Sequence, residues 1–477
     1  MLDPQQNRRP QHVETIHLMG ICGTGMAALA GMLKNAGYTI TGSDATVYPP
    51  MSDFLYKQGI FPASGYQAEN LDHQPDLVIV GNVIRKDNPE AQALSRRAIA
   101  YLSFPQALAE FFLQHRQSLV VAGTHGKTTT CSLLASTLHH AGCDPSFMIG
   151  GIVQQFESNN RLGDGPHFVV EGDEYDTAFF DKESKFLHYQ PHTAIITSIE
   201  FDHADIFTDL DQIKRSFRKF VRLLPPDGLI VAHLDDANVR EVVAEAPCRV
   251  EGYGLGIDND WRIVDSKTKG EESTYEIEHR RQKYLFSSPL SGMHNGLNSL
   301  AVVAVLHNQG LDFDSIAAGV CAFKGVKRRQ EVRGTVNEIT VIDDFAHHPT
   351  AVRKTLDGLK KANPEKRLVA VFEPRTNSSR RSIFQDQYAR AFNGADVILL
   401  RDPIPLDNVA AEDHFSSEKL ADSLRQTNKN ARSFSSTEDI LDYLDDILHR
   451  GDMVAILSNG GFDNIHERLL AILKHQQ

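Results

Sequence analysis

Positive charge, paired cysteines and long apolar segments are all scarce in this chain of 477 residues. Lysine and arginine number 49 against 62 aspartates and glutamates, for a formal net charge of −13. This balance argues against a general nucleic-acid or anionic-membrane binder, because neither surface attracts a negative protein. The five cysteines are scattered and form no C-x-x-C pair, which indicates reduced thiols in a cytoplasmic protein. No stretch approaches the roughly 18 apolar residues of a membrane span, so we expect no membrane insertion.

The sequence does contain a regular alternation of short apolar, β-rich runs with helical patterns. This rhythm predicts an α/β fold with parallel sheets that are covered by helices on both faces. The length suggests two to four domains at about 100–200 residues each. Residues 1–12 are polar and lack the apolar core of a signal peptide, so we expect a frayed tail there.

Predicted elements fall into three successive blocks. Strands are predicted at Thr15–Met19, Tyr38–Thr41, Leu77–Val80, Ser118–Ala122, Phe168–Val170, Ala194–Thr197, Ile339–Ile342, Leu368–Phe372, Val397–Leu400 and Met453–Leu457. Helices are predicted at Met26–Asn35, Lys127–His140 and His294–Asn308. The alternating pattern from Trp261 to Phe286 predicts a meander or hairpin, and the basic, glycine-containing stretch Gly325–Gln330 is typical of a hinge.

A glycine-rich loop, Gly123–Thr128, follows one predicted strand and precedes a predicted helix. Glycines let backbone N–H groups converge on a phosphate, and the helix N-terminus adds positive potential. We expect Lys127 to reach the β- and γ-phosphates of a nucleotide and the Thr128 hydroxyl to bind Mg²⁺. The standard Walker pattern has a glycine five positions before Gly126, where this chain has Val121, so the match is to a shorter variant. The alternative is a structural turn before a helix.

Two acidic clusters, Glu171–Asp176 and Glu200–Asp205, each follow a predicted strand. Ligands collect at the carboxyl ends of strands in open α/β sheets, so both clusters would face Thr128 across one rim. Mg²⁺ prefers oxygen ligands and would neutralise the charge of a triphosphate. The alternative is that these carboxylates are solvated loop residues.

A second glycine loop, Gly20–Gly25, follows the first predicted strand and fits the dinucleotide-binding fingerprint loosely. Asp44, at the end of the next strand, could accept a ribose hydroxyl. Three interpretations remain open from the pattern itself: a nicotinamide cofactor, another nucleotide, or a structural turn.

Four ordered motifs together resemble the Mur ligases, the cytoplasmic enzymes that add amino acids in bacterial peptidoglycan synthesis. The motifs are Gly20–Met26, Gly123–Thr130, His294–Asn298 and Asp343–Pro349. The resemblance extends from about Ile16 to Ser458–Phe462, so it covers nearly the whole chain. It implies three domains: a Rossmann-like domain for a UDP-sugar (1–115), a central P-loop ATPase-like domain for ATP and Mg²⁺ (116–328), and a Rossmann-like domain for the incoming amino acid or peptide (329–477).

Within the family, three further segments are similar to the recycling branch, which attaches a murein tripeptide to UDP-N-acetylmuramate. They are Ser43–Ser52, Phe180–Phe186 and Glu373–Asn377. The resemblance therefore implies an enzyme with UDP-N-acetylmuramate and L-alanyl-γ-D-glutamyl-meso-diaminopimelate as substrates. The branch that adds L-alanine shares the framework but typically lacks the Phe-Asp-Lys insertion.

The resemblance also implies a role for each motif residue. The implied ATP contacts are Gly123, Thr124, His125, Gly126, Lys127, Thr128, Thr129, His294, Asn295, Asn298, Arg329 and Asp344, with Asp344 at the ribose. The implied UDP-sugar contacts are Gly20, Gly23, Thr24, Gly25, Asp44 and Asn82. The implied metal ligands are Thr128, Glu171 and His203, and the implied catalytic residues are Lys127, His203, His348 and Arg328.

Several relatives carry a carbamylated lysine about fifteen residues after the metal-site histidine. This chain has Arg218 and Lys219 in that region, so that lysine is not carried over. Either Arg328 or Arg329 would reach across the hinge to the nucleotide, and either His347 or His348 would deprotonate the amine or bind substrate.

The implied chemistry proceeds through an acyl-phosphate. A carboxylate attacks the γ-phosphate of ATP, and the amine then displaces phosphate at the acyl carbon, so the protein mainly positions groups and neutralises charge. Arg375 and Arg380, with Asn377 between them, would suit the carboxylates of an acidic tripeptide because arginine forks match carboxylates. The rival interpretations are an L-alanine-adding ligase, a nicotinamide-dependent oxidoreductase and a non-catalytic nucleotide switch.

Overall fold

A computed structural model of the chain describes residues 2–269, 272–407 and 409–475. In this part of the chain, three sheets follow one another in sequence, and a two-stranded ribbon accompanies the second. Buried apolar clusters lie on both faces of each sheet, so the predicted three-block α/β architecture is confirmed.

The N-terminal sheet consists of parallel strands. These are β1 (Thr15–Met19), β2 (Thr39–Asp44), β3 (Ala63–Ser64), β4 (Leu77–Val80) and β5 (Ala100–Ser103). The helices of this segment are α1 (Thr24–Asn35), α2 (Met51–Lys57), α3 (Pro89–Arg97) and α4 (Phe104–Leu108). The strand order β3-β2-β1-β4-β5 reverses between β1 and β4. The loops after these two strands therefore border the crevice where open α/β sheets bind ligands.

The central sheet has a parallel core with antiparallel strands at both sides. Its strands are β6 (Gln117–Ala122), β7 (Ser146–Val153), β8 (Ser158–Arg161), β9 (His167–Gly172), β12 (Thr193–Ile196), β13 (Leu229–His233), β14 (Arg249–Gly254), β15 (Trp261–Lys269), β16 (Glu272–His279) and β17 (Gln282–Ser288). The separate ribbon consists of β10 (Asp176–Ala178) and β11 (Asp181–Ser184). The helices are α5 (Lys127–His140), α6 (Leu210–Val221), α7 (Ala237–Val243), α8 (Met293–Asn308) and α9 (Phe313–Cys321).

The order of the central sheet is β17-β16-β15-β14-β13-β12-β6-β9-β7-β8. Strands β12, β6 and β9 are parallel neighbours, so the loops that follow them leave the same rim of the sheet. Each of these strands is apolar and buried along most of its length, as expected for a parallel strand covered on both faces. The predicted meander is confirmed as the antiparallel strands β15–β17, although residues 270–271 lie outside the described part.

The C-terminal sheet has the order β18-β19-β23-β20-β21-β22, with only β18 antiparallel to its neighbour among the described residues. Its strands are β18 (Glu331–Val336), β19 (Ile339–Asp344), β20 (Leu368–Phe372), β21 (Val397–Arg401), β22 (Asn430–Phe434) and β23 (Met453–Leu457). Its helices are α10 (Pro349–Ala362), α11 (Gln385–Ala391), α12 (Ser417–Gln426), α13 (Thr437–Ile447) and α14 (Ile465–His475). The loop after β19 enters α10, so both meet the central segment from across the hinge.

The expectation of a frayed N-terminal tail is wrong for the residues that the structure describes. The Asn7 side chain donates to the Tyr101 carbonyl and to Gln106 Oε1, both at 3.0 Å, and accepts from Gln106 at 2.9 Å. Arg9 donates to the Glu110 carbonyl at 2.9 Å and lies 4.1 Å from the centre of the Phe111 ring. The tail is polar because it pairs with the end of the first segment, and polarity alone did not reveal those partners.

The five cysteines are all free thiols. Among the described residues, none of the helices combines the length and the apolar character needed to cross a bilayer.

We predict that Asn7→Ala destabilises the N-terminal segment by about 1–2 kcal/mol, because it removes three hydrogen bonds and leaves a carbonyl and an amide without their partner. The change should lower the first calorimetric unfolding transition relative to the wild type. Gln5→Ala, an exposed substitution in the same tail, serves as the control. Equal transitions for Asn7→Ala and the control would show that the tail does not support the fold.

Candidate active site

The loop between β6 and α5 has a backbone conformation that requires glycine at two positions. Gly123 has φ +133° and Gly126 has φ +84°, values that side-chain-bearing residues rarely adopt. A Cβ atom on Gly123 would lie 2.1 Å from Thr197 Oγ1, and one on Gly126 would lie 2.7 Å from Asn298 Oδ1. The two glycines therefore allow this loop, Gly123–Thr128 (the phosphate loop), to approach both the end of β12 and helix α8.

The segment after β12 braces this loop through hydrogen bonds. The Thr124 amide donates to the Ser198 carbonyl at 2.8 Å, and the His125 amide donates to Ser198 Oγ at 3.2 Å. The Thr197 hydroxyl donates to the His125 carbonyl at 2.5 Å. These contacts hold the loop in an open arc at the start of α5.

Lys127 lies within this arc and makes a buried ion pair. Its Nζ donates to the Gly123 carbonyl at 2.6 Å and to Glu174 Oε2 at 2.8 Å, and only 2% of the Glu174 side chain is exposed. Burial opposes the charged ammonium, but Glu174 and Asp173 outweigh it and raise the pKa of Lys127. The amine therefore stays charged. Glu174 was not among the predicted site residues, although it belongs to the acidic cluster that follows β9.

Thr128 and Glu171 are brought together as the sequence predicts. The Thr128 hydroxyl donates to Glu171 Oε2 at 3.2 Å, and Glu171 Oε1 accepts from the Gly150 amide at 2.7 Å. Burial and the neighbouring Asp173 raise the pKa of Glu171. Crowded carboxylates that disfavour one another's charge provide a site for a cation.

His203 is adjacent to this group but contacts a different carboxylate. Its Nε2 lies 3.6 Å from Glu174 Oε1, and its ring centre lies 5.2 Å from that of Tyr175. The residue has φ +53°, and its amide donates to Asp202 Oδ1 at 2.7 Å. Burial would raise the pKa of Asp202, but His203 and the other nearby histidines lower it to about 2. Thus Glu174 bridges Lys127 and His203 at the rim.

A cavity beside the phosphate loop lies between the central and C-terminal segments. Nine of the twelve predicted ATP contacts line it: His125, Gly126, Thr128, Thr129, His294, Asn295, Asn298, Arg329 and Asp344. His233, Tyr253, Lys354 and Thr355 also line it and were not predicted. The cavity extends from the loop toward α8, which is the direction a nucleoside would take from its phosphates.

Burial lowers the pKa of two basic side chains in this cavity. Burial, followed by the charge of Lys354, lowers the pKa of His294 to about 3. Burial likewise lowers the pKa of Lys354, and Glu200 offsets this only in part. The wall of the cavity near α8 therefore carries a neutral imidazole.

The two hinge arginines have separate partners. Arg329 Nη2 donates to Thr128 Oγ1 at 3.2 Å, whereas Arg328 Nη2 donates to the carbonyls of Ser458 and Gly460, both at 2.6 Å. Of the two alternatives for a contact across the hinge, Arg329 is the one that reaches the phosphate loop. The guanidinium of Arg328 is held by the C-terminal loop, and its catalytic role stays a prediction.

Asp344 closes the hinge side of the cavity. Its carboxylate accepts from the Gln330 and Ala346 amides, both at 2.8 Å. Burial raises the pKa of Asp344 even though Arg329 opposes the shift. The carboxyl thus organises the hinge backbone as well as lining the cavity.

A second cavity lies between the N-terminal and central segments. Gly23, Thr24, Gly25 and Asn82 line one wall, and Glu171, Asp173, Tyr175 and Lys185 line the other. Asp44 instead supports the glycine loop from behind, since its Oδ2 accepts from the Cys22 amide at 2.8 Å. Gly20, with φ +80°, forms the turn that starts the loop. The two cavities meet at Glu171, which faces this cavity and bonds Thr128 of the other.

The three residues predicted to bind a peptide follow β20. Asn377 Nδ2 donates to Asp205 Oδ2 of the central segment at 3.0 Å, and Arg380 Nη2 donates to Asn377 Oδ1 at 3.1 Å. Arg375 lies over Gly460, with 53% of its side chain exposed and Glu373 Oε1 at 3.6 Å. Arg375 is therefore the arginine most open to a ligand, whereas Arg380 and Asn377 hold the loop against its neighbours.

His347 and His348 begin α10. His348 is its N-cap: Nδ1 accepts from the Thr350 amide at 3.3 Å, and Nε2 lies 3.3 Å from the Phe201 carbonyl. The His347 carbonyl accepts from the Tyr388 hydroxyl. Burial lowers the pKa of both imidazoles, so they are neutral near pH 7.

Arg218 and Lys219 of α6 have ionic partners outside the predicted metal ligands. Arg218 pairs with Glu241, and Lys219 Nζ lies 2.7 Å from Glu183 Oε2.

This chain resembles known proteins over nearly its whole length. Profiles described as the Mur ligase family catalytic domain, the Mur ligase middle domain and the Mur ligase glutamate ligase domain match residues 15–116, 121–306 and 328–460. The UDP-N-acetylmuramate–L-alanyl-γ-D-glutamyl-meso-2,6-diaminoheptandioate ligase of Haemophilus influenzae is 39% identical, over 96% of this chain and 99% of that protein. The UDP-N-acetylmuramate–L-alanine ligase of a Geobacter species is 35% identical, over 97% and 98%. The crystal structure of a murein peptide ligase from Psychrobacter arcticus superposes with a TM-score of 0.71 at 37% identity, covering 96% of this chain and 98% of that one.

We predict that His294 stays neutral from pH 8 to pH 5 and that Lys354→Met raises its pKa, because the substitution removes a neighbouring positive charge. The NMR titration of the His294 ring measures both values. Because the folded pKa of about 3 lies below the ordinary histidine value of 6.5, His294 contributes stability above pH 6.5 that is lost as the pH falls toward 3. Lys360→Met, at a surface pair with Asp396, is the control. A wild-type His294 that titrates near pH 6.5 would contradict the assignment.

Proposed function

This chain belongs to the Mur ligase family, and we propose that it joins the lactyl carboxylate of UDP-N-acetylmuramate to the amine of L-alanyl-γ-D-glutamyl-meso-diaminopimelate with hydrolysis of ATP. The observation that carries the proposal is the full-length identity of 39–40% to two ligases named for this tripeptide, from Haemophilus influenzae and Escherichia coli. Ligases named for L-alanine match at 33–35%. The reaction belongs to the bacterial cytoplasm, where nucleotide sugars and ATP are available.

The arrangement of the two cavities supports this reaction. The cavity between residues 1–115 and 116–328 would hold the UDP-sugar against Gly23–Gly25 and Asn82, and the one bordered by residues 329–477 would hold ATP. Their meeting point at Glu171 and Thr128 would bring a sugar carboxylate to the γ-phosphate. Closure about the hinge would then bring the peptide to the activated acyl group.

The donor atoms near Thr128 fit Mg²⁺. The Thr128 hydroxyl and the Glu171 carboxylate are 3.2 Å apart, and Glu174 is a further buried carboxylate at the rim. Oxygen donors of this kind suit a hard cation, and bound Mg²⁺ would neutralise phosphate charge. His203 would lie beside these metal ligands, because its imidazole contacts Glu174.

The protein's own groups have three tasks in this scheme. Lys127 provides positive charge at the phosphates once the incoming anion replaces Glu174 as its partner. Arg329 adds a second charge from across the hinge, beside Thr128. Neutral His347 would accept the proton that the attacking amine releases, since its lowered pKa leaves it unprotonated at pH 7 and its Nδ1 pairs with the Phe345 carbonyl, which leaves the lone pair on Nε2. His348 would instead position groups, because both of its ring nitrogens already have partners.

The proposed substrate is tested by supplying purified protein with UDP-N-acetylmuramate, ATP and Mg²⁺ and either the tripeptide or L-alanine. We expect phosphate release and a product of the correct mass with the tripeptide, and little turnover with L-alanine. Robust turnover with L-alanine and none with the tripeptide would refute the proposal in favour of the L-alanine ligase. Lys127→Ala is the matched inactive control, with kcat expected to fall by at least about 100-fold.

We also predict that Arg375→Ala raises KM for the tripeptide roughly tenfold, because a charge-assisted hydrogen bond to a carboxylate is lost. KM for UDP-N-acetylmuramate should not change, since that substrate is assigned to the other cavity. Arg450→Ala, at an exposed pair with Glu338, is the control. An unchanged KM for the tripeptide would remove Arg375 from the peptide site.

A further inference from the structure

Three side chains from separate segments converge beside the phosphate loop. His125 belongs to that loop, Glu200 follows β12, and His348 is the N-cap of α10 in the C-terminal segment. His125 Nε2 lies 3.3 Å from Glu200 Oε2, and His348 Nδ1 lies 3.8 Å from the same oxygen. All three ligand atoms are within 4.8 Å of one another.

Protein groups also orient His348 and Glu200, as the groups around bound metals orient their ligands. His348 Nε2 lies 3.3 Å from the Phe201 carbonyl, which fixes the proton on Nε2 and leaves a lone pair on Nδ1. The Thr350 hydroxyl donates to Glu200 Oε2 at 2.6 Å and orients the carboxylate. The Thr350 amide, 3.3 Å from His348 Nδ1, is the weaker contact that a metal would displace.

The charge states of the three groups also suit a metal. Burial lowers the pKa of His125 to about 4, with Glu200 opposing the shift only in part. Burial would raise the pKa of Glu200, but His125 and Thr350 lower it to about 2. Near pH 7 the cluster therefore presents two neutral imidazoles and one carboxylate, which are the forms that bind metals.

We propose that His125, Glu200 and His348 bind a divalent transition metal ion of the Zn²⁺ type, at a site separate from the one expected at Thr128 and Glu171. Two imidazoles and a carboxylate form a donor set that Zn²⁺ accepts, whereas Mg²⁺ prefers oxygen ligands. With bonds of about 2.0–2.2 Å, ligand atoms around Zn²⁺ lie roughly 3.3–3.6 Å apart. The observed separations of 3.3 and 3.8 Å from Glu200 Oε2 are within a few tenths of an ångström of that spacing, and the two imidazoles, which are within 4.8 Å of each other, would move closer.

The bland alternative is that the cluster is a hydrogen-bonded brace between two segments. A brace needs the carboxylate as an acceptor, and glutamine at position 200 would still accept from Thr350. A metal site needs the charge and basicity of the carboxylate. The substitution Glu200→Gln therefore separates the two interpretations.

A metal at this site would connect the two sides of the hinge. His125 and Glu200 belong to the central segment, and His348 belongs to the C-terminal segment. Binding would favour the conformation in which all three meet, so Zn²⁺ should raise the melting temperature by mass action on the folded, closed protein. This effect does not depend on which amine the enzyme uses.

The test uses the full chain dialysed against zinc chloride at pH 7.5 with excess Mg²⁺, which occupies oxygen-rich sites. We expect the wild type to retain one Zn²⁺ per chain more than Glu200→Gln and to melt at a higher temperature with Zn²⁺. The affinity of the Glu200→Gln variant for Zn²⁺ should be at least about tenfold lower than that of the wild type. His115→Ala, at an exposed histidine outside the cluster, should behave as the wild type.

Substitution of the wild type with Co²⁺ provides a second readout that no variant is needed to interpret. A four-coordinate site with two imidazoles should give intense visible absorption that Zn²⁺ abolishes. Equal Zn²⁺ retention by wild type and Glu200→Gln, or the lack of a Zn²⁺-sensitive Co²⁺ spectrum, would overturn the proposal. Both outcomes leave the ligase assignment standing, because that is tested by product formation.

Discussion

The parallel adjacency of β12, β6 and β9 is the constraint on which the site depends. The loops that follow parallel neighbouring strands lie at the same rim of the sheet. This rim brings together three segments that are far apart in sequence: the phosphate loop, the Glu171–Asp176 cluster and the Glu200–Asp205 cluster. The buried pair of Lys127 and Glu174 balances charge at this rim. Removing either partner would leave the other charge buried and unpaired, which is costly.

The site also needs both flanking segments. The N-terminal segment contributes the glycine loop and Asn82 to one cavity, and the C-terminal segment contributes Arg329 and Asp344 to the other. Neither cavity is closed by the central segment alone. The acyl-phosphate of the proposed reaction would be reactive toward water, and a site built from three bodies would exclude water only once all the substrates are bound.

The sequence predicted features that depend on local pattern. Helix Lys127–His140 and strand Leu77–Val80 were located to the residue, because their apolar runs and flanking turns are unambiguous. It did not reveal contacts that only the fold creates. In the sequence, Glu171 and Glu174 are equivalent members of one acidic cluster. In the fold, Glu174 is the one that pairs with Lys127. The same applies to Lys354, which is an ordinary surface lysine by pattern but lines a cavity because α10 docks there.

Arg328 and Arg329 are consecutive residues that point to opposite sides of the hinge. One guanidinium is bound to the loop at Ser458–Gly460, and the other touches Thr128. Adjacent residues cannot move independently over long distances. A rotation of the C-terminal body would therefore move Arg329 relative to Thr128 and change the hydrogen bond between them. Thermodynamic coupling is reciprocal. If the orientation of the C-terminal body changes the affinity of the phosphate loop for a ligand, binding of that ligand changes the preferred orientation by the same free energy. In the proposed reaction, this dipeptide would couple ATP binding at the phosphate loop to the orientation of the domain proposed to bind the peptide.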